Sequence, residues 1–345
     1  MKAVYIKSQG GVEVFTYGEL PEPTIGPTEI SVRVGACALN RLDVYTRMGV
    51  RGTKREFKEP HILGGDVAGD VVEVGKDVVG IKEGDRVVLN PRLTCGQCHY
   101  CLAGDDEFCR RAGMIGSSAN GGYAEYVKAP GVNAVPLPAS LSYAEAAAMP
   151  TVFMPMWSML LRRGQLKPWE TALVLSASSG VGTAAIQVAK NVIGARIIAT
   201  TSTAEKAQKA KELGADEVII YTQEDIEQRV KELTKGEGVD VVVDHVGSDF
   251  WEKAFASLRI GGRYGICGVT TGYRAQLQMG SLFTRQVTVF GVFMGNKEDL
   301  RQIVELAGRG IIKGVVHQTF PLSEAARAHQ VMESLSFFGK LVLVP

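Results

Sequence analysis

The sequence predicts an α/β protein built on a doubly wound parallel sheet, with a second, β-rich unit beside it. Three observations predict this. From about residue 170, apolar runs alternate with stretches of helical periodicity, as strands buried on both faces with helical crossovers do. Up to about residue 150 that rhythm is missing, and short β-type runs follow one another between turn residues. A glycine-bearing turn, Ser176-Ala177-Ser178-Ser179-Gly180-Val181-Gly182, joins the first strand of the alternating part to its first helix.

The β-rich part comes first. Ile30–Val34, Asp70–Gly75 and Asp85–Leu89 read as strands, and Gly80, Gly84 and Pro91 punctuate them. Such short, turn-bounded runs make a small barrel or sandwich rather than βαβ units. Residues 172–175, 196–200, 217–220, 239–244, 262–266 and 287–291 then read as the six parallel strands. Helices are expected at 182–191, 204–213 and 226–234. From about Asn296 the tail holds a helix over Asp299–Gly308 and a strand over Lys340–Val344. This tail is expected to complete the first unit, giving domains 1–150 with 296–345, and 151–295.

Composition narrows the functional classes. Lys plus Arg number 38 and Asp plus Glu 37, so no charge excess points to nucleic acid or an acidic membrane. No run of eighteen apolar residues is present and Met1–Ile6 reads as a strand, so a cytoplasmic protein is expected.

The turn at 176–182 is a dinucleotide cradle. Ser178 stands where the first glycine of G-x-G-x-x-G/A usually stands. Gly180 and Gly182 let the backbone approach a pyrophosphate, and Ala185 lets the helix pack on its sheet. Ser178, Ser179, Gly180, Val181 and Gly182 would therefore hold the diphosphate at the helix N-terminus, where free N–H groups and the dipole favour negative charge. This makes the parallel part a Rossmann domain. The second strand ends Thr200-Thr201-Ser202-Thr203, with Lys206 following and no carboxylate at its end. A carboxylate there would bond the ribose 2′-hydroxyl of NAD. Hydroxyls and an ammonium at Thr201, Ser202 and Lys206 suit the 2′-phosphate of NADP(H) instead. The other reading of the same residues is a capping hydroxyl beside a solvated lysine.

Cys95, Cys98, Cys101 and Cys109 follow the spacing C-x2-C-x2-C-x7-C within a lobe at about 92–112. Four thiolates at this spacing close a tetrahedral zinc site and leave no open position, so the zinc would be structural. The C-x2-C-x2-C-x3-C-P run of an iron–sulfur protein is absent.

Taken together, the β-rich first part, the four-cysteine lobe and the Rossmann turn resemble the medium-chain dehydrogenase/reductase superfamily over essentially the whole chain. The resemblance implies a GroES-like barrel for the first unit. The cysteine lobe looks like that of the zinc-containing alcohol dehydrogenases. Where their catalytic zinc ligands stand, however, this chain has Asn40, Gly65 and Thr151. Asn40-x-x-Asp43 and Gly64-x-Asp66-x-Ala68-Gly69 look instead like the zinc-free quinone oxidoreductases. The expected metal content is thus one structural zinc and no catalytic zinc.

The resemblance also implies site residues. Without a metal, hydrogen-bond donors must stabilise developing charge. Asn40 and Thr151 are the candidate donors, Tyr45 the candidate proton carrier and Asp43 its neighbour. Leu42 occupies the place of the usual relay hydroxyl and would line the substrate pocket with Phe153, Trp157 and Met294. Arg41, Val246, Gly268, Val269, Phe293 and Lys340 match positions that meet the cofactor. An apolar pocket would take a bulky cyclic or aromatic ketone. The leading expectation is an NADP(H)-dependent alcohol dehydrogenase or ketone reductase acting without zinc. A quinone or enone reductase competes with it, and a cofactor-binding protein without turnover is the third reading. A homo-oligomer, dimer or tetramer, is expected by the same resemblance.

Overall fold

A computed structural model describes all 345 residues. The chain divides into two compact units, Met1–Thr151 with Asn296–Pro345, and Val152–Gly295.

The first unit is a β structure. Its largest sheet runs Ala134–Pro136, Arg86–Leu89, Asp66–Val74, Glu29–Ala38, Lys340–Val344, Val316–Pro321, with Tyr126–Pro130 also paired to Glu29–Ala38. The tail therefore supplies two adjacent strands of this sheet. Alternation along these strands buries Ile30, Val32, Val67, Val71, Val87 and Leu343 in one apolar core with Tyr123 and Phe320. Register fixes the site. Ala38 lies opposite Asp66 on one side and opposite Val342 on the other. The chain leaves this strand at Asn40, and continuing both registers brings Asn40, Asp66 and Lys340 to one end of three neighbouring strands.

The short helix Arg41–Met48 starts at that point and ends at Gly49, whose φ of 71° is a left-handed conformation that glycine adopts without strain. Sequence periodicity did not reveal this helix, because its charged residues Asp43 and Arg47 point inward rather than outward.

The second unit is a six-stranded, all-parallel sheet in the order Glu217–Ile220, Arg196–Thr201, Thr171–Val174, Val239–Asp244, Leu258–Ile266, Thr288–Gly291. Counted along the chain this order is 3-2-1-4-5-6, the doubly wound arrangement that the alternating pattern predicts. Leu173, Ile198, Val242 and Tyr264 form the centre of its core with Trp251 and Phe255. Several boundaries differ from expectation. The fifth strand begins at Leu258, ahead of the apolar run, and carries the exposed residues Ile260 and Gly261 in its first half. The first helix begins at Gly180 because Ser179 caps it.

Candidate functional site

The cysteine lobe is the simplest centre. The ligand atoms of Cys95, Cys98, Cys101 and Cys109 all lie within 4.8 Å of one another. Cys98 Sγ is 3.5 Å from Cys101 Sγ, and Cys95 Sγ is 3.9 Å from it. Bonds of ~2.3 Å in a tetrahedron place thiolates ~3.8 Å apart, so this spacing suits zinc. The surroundings favour the thiolate at Cys95, while burial and the neighbouring thiols raise the Cys101 pKa. Amide N–H groups of Gln97 and Cys98 are aimed at the Cys95 sulfur and lower its pKa to about 5, and the Arg111 side chain also bonds it.

In the second unit, the loop after the first strand is built for close approach. A Cβ at Gly182 would lie 2.3 Å from the Ser176 carbonyl oxygen, so only glycine fits there. Ser176 itself takes a positive φ of 51°. Ser179 Oγ accepts from Gly182 N–H at 2.8 Å and donates to the Ser176 carbonyl at 3.0 Å. His245 Nε2 lies 3.0 Å from both Ser179 Oγ and the Leu175 carbonyl oxygen. A carbonyl can only accept, so His245 carries its proton on Nε2 and braces the loop from the neighbouring strand end. These contacts of His245 are structural.

Other predicted cofactor residues sit at carboxyl ends of strands in this unit. Asp244 accepts from the amides of Val246 and Gly247, at 2.7 and 2.9 Å, and from the Tyr264 hydroxyl at 2.9 Å. Thr270 Oγ1 donates to the His245 carbonyl at 2.8 Å, which ties the Gly268-Val269 turn to Val246. At the second strand, the buried Thr201 hydroxyl has no hydrogen-bond partner. Ser202 and Lys206 are half-buried beside it in sequence, and burial lowers the Lys206 pKa. An orphaned hydroxyl, a glycine cradle and a helix N-terminus together fit a dinucleotide. Phe293 is exposed and Met294 buried. Phe153 has no accessible surface and Trp157 only 8 %, so the aromatic block 153–157 is core rather than the lining of an open pocket.

In the first unit, the strand register gathers a dry polar cluster. Asp66 is fully buried. Its Oδ1 accepts from the Thr151 hydroxyl at 2.6 Å and from the Thr151 amide at 3.2 Å. Its Oδ2 accepts from Asn40 Nδ2 at 2.9 Å and from Lys340 Nζ at 3.4 Å. Lys340 Nζ also donates to Asn40 Oδ1. Asp43 accepts from the amides of Asn40 and Gly64, at 2.7 and 3.2 Å, so it braces the backbone on either side of the cluster. Burial pushes the Asp43 carboxyl up to about 7 and the Cys37 thiol well above its ordinary value.

Behind Asp43 runs a buried chain that sequence reasoning missed. Tyr123 hydrogen-bonds Asp43, and its hydroxyl lies 3.1 Å from His329 Nε2. His329 Nδ1 is 3.2 Å from Arg47 Nη1, and Arg47 Nη2 pairs with Glu333 at 2.6 Å. No local signal connects Arg47 with His329, which lie 282 positions apart. Tyr45 and Leu42 are half-buried on the same short helix, and the Arg51 guanidinium lies 5.1 Å over the Tyr45 ring. Arg41 is half-buried and burial lowers its pKa.

Comparison with known proteins places this geometry. Residues 26–139 match the alcohol dehydrogenase GroES-like domain, and residues 180–309 match the zinc-binding dehydrogenase domain. An NAD-dependent alcohol dehydrogenase of Sulfurisphaera tokodaii is 32% identical, covering 95% of both chains. The chain belongs to the zinc-containing alcohol dehydrogenase family of medium-chain dehydrogenases/reductases. Within that family, an acryloyl-coenzyme A reductase of Metallosphaera sedula is 31% identical over 99% of both chains. A solved structure of an NAD-dependent alcohol dehydrogenase superposes with a TM-score of 0.96, at 43% identity and full coverage of both chains.

The family's structural zinc fits the four cysteines. At the positions of the family's catalytic zinc ligands this chain has Asn40, Gly65 and Thr151. Asp66 is fully engaged by Asn40, Thr151 and Lys340, and an ammonium sits among the would-be ligands. A Cβ at Gly65 would lie 2.9 Å from the Ile115 carbonyl oxygen, so no histidine side chain can start from that position without the backbone shifting.

Proposed function

We propose that this chain is an NAD(P)H-dependent reductase of activated carbon–carbon double bonds, such as those of enones and enoyl thioesters, and that it works without a catalytic metal. One observation carries the reading. Of the two donors that the sequence offered for a carbonyl oxygen, Thr151 spends its hydroxyl hydrogen and Asn40 one of its two amide hydrogens on Asp66. A simple ketone needs a strong electrophile against its developing alkoxide. An α,β-unsaturated carbonyl needs less. A nicotinamide, once bound, would supply hydride to the acceptor's β-carbon, with the π electrons moving onto the conjugated oxygen and a proton from solvent reaching the α-carbon. The similarity to an acryloyl-coenzyme A reductase supports this. The chain's own part is to bind and orient the acceptor and the cofactor.

Carbonyl reduction is the second reading, favoured by the alcohol dehydrogenases among the similar proteins. Its bulky apolar pocket loses support from the buried Phe153. We assign NADPH as the preferred donor on the orphaned Thr201 hydroxyl, with Ser202 and Lys206 following. The Thr288–Gly291 strand ends the parallel sheet and is the edge on which a second copy would pair. No helix is long and apolar enough to cross a membrane.

The test is product analysis after incubation with a cyclic enone and NADPH, with NADH in parallel. A saturated ketone is expected. An allylic alcohol would replace this reading with carbonyl reduction, and no turnover across a panel of acceptors would leave a cofactor-binding protein.

A further inference from the structure

The resemblance predicts that Lys340 meets the cofactor, yet its ammonium lies inside the Asn40–Asp66 cluster. We propose that the Lys340 ammonium is the resident cation of this site, standing where the zinc enzymes hold their catalytic metal and acting as a positioning residue through Asn40. This rests on the metal-free reading above and deepens it.

Three features carry the inference. Lys340 is 4% exposed and Asp66 0%, so the pair is dry, and a buried carboxylate without a cation would be strongly destabilising. The ammonium gives one N–H to Asn40 Oδ1 and one to Asp66 Oδ2. Because the ammonium only donates, Asn40 must present its oxygen to Lys340 and its NH2 to Asp66, which fixes the amide in one orientation. The third feature is placement. Register alone brings Lys340 opposite Asn40, on strands that pair through Val342 and Ala38, so the ammonium arrives on rigid sheet rather than on a loop. Four positions around one point thus hold a carboxylate, an amide, a hydroxyl and an ammonium, and the positive charge is covalently attached to the chain.

The test separates this role from cofactor binding. Lys340→Ala is compared with the wild type for zinc per chain, for NADPH dissociation constant by fluorescence, and for kcat with the acceptor that product analysis identifies. One zinc per chain is expected in both. The NADPH dissociation constant should stay within about twofold while kcat falls by roughly 100-fold, the order seen when a preorganised polar group is lost. Propylammonium, which replaces the missing end of the side chain, should restore kcat saturably. A tenfold weaker NADPH affinity with kcat unchanged would overturn the proposal and make Lys340 a cofactor ligand. Unchanged constants throughout would also overturn it. A second zinc in the wild type would overturn both this inference and the metal-free reading, whereas the product analysis bears only on which bond is reduced.

Two further measurements keep the idea testable if Lys340→Ala does not fold or no acceptor is turned over. Lys340→Met combined with Asp66→Asn removes both charges. It should fold, with a low kcat that propylammonium does not restore, and a wild-type kcat would overturn the proposal. In 15N-lysine-labelled protein, Lys340 should give a slowly exchanging ammonium signal that moves in Asp66→Asn. A Lys340 signal that exchanges as fast as those of surface lysines would overturn the ion pair itself.

Discussion

The Thr151 hydroxyl donates to Asp66 Oδ1 across 2.6 Å, joining the end of the first unit's long N-terminal segment to a strand 85 residues earlier. This bond spends the one hydroxyl that the sequence offers at the place of the third zinc ligand. Thr151→Val keeps the shape of the side chain and removes the donor. We expect a loss of about 1–3 kcal/mol, because Asp66 Oδ1 stays buried with one partner fewer. Urea unfolding reads it, and unchanged stability would mean that water replaces the hydroxyl.

Gly65 predicts what happens when the zinc-type histidine is restored. Its Cβ would stand 2.9 Å from the Ile115 carbonyl oxygen. Gly65→Ala is therefore expected to cost about 1–3 kcal/mol, in the range of an overpacked core site. Gly65→His should lower the thermal midpoint further without raising zinc above one per chain. A stable Gly65→His protein that takes up a second zinc would refute the assignment.

The cysteine lobe gives a metal prediction of its own. Cys98→Ser replaces one of four clustered sulfur ligands. Elemental analysis should find bound zinc falling from about one per chain toward zero, with a lower thermal midpoint, since a structural metal site contributes to folding free energy. Zinc retained at one per chain would place the metal elsewhere.

Lys206 is the cation that follows the second strand of the parallel sheet. Lys206→Ala should weaken NADPH binding roughly tenfold, about 1.4 kcal/mol, and leave NADH nearly unchanged. Equal losses with both cofactors would show a general role in holding the nucleotide and remove the ground for an NADPH preference.

Asp43 makes stability depend on pH. Burial raises its folded carboxyl to about 7, above the value of about 3.9 in an unfolded chain. Between these two values the folded state binds more proton than the unfolded one. The Asp43 contribution is therefore most favourable below about pH 4, falls as pH rises to about 7, and is level above that. Comparing wild type with Asp43→Asn at pH 5 and pH 8 isolates it. The wild type should lose more stability on going to pH 8, and equal losses in the two proteins would argue that Asp43 stays ionised through its amide partners.

The parallel sheet, the glycine cradle and the cysteine cluster are legible in the residues alone. Each is local: apolar runs mark strands buried on both faces, Gly182 is required by contact with Ser176, and the four cysteines fall within fifteen residues. Asn40, Asp43 and Thr151 are assigned to one centre through the resemblance rather than through any spacing. The contacts that those residues make depend on how the sheet closes. Strand register, not sequence distance, set Lys340 against Asn40 across 300 positions and carried Arg47 to His329 across 282. Once the sheet closes, the Asn40 and Thr151 donors turn inward to Asp66, because a buried carboxylate takes every hydrogen bond within its reach.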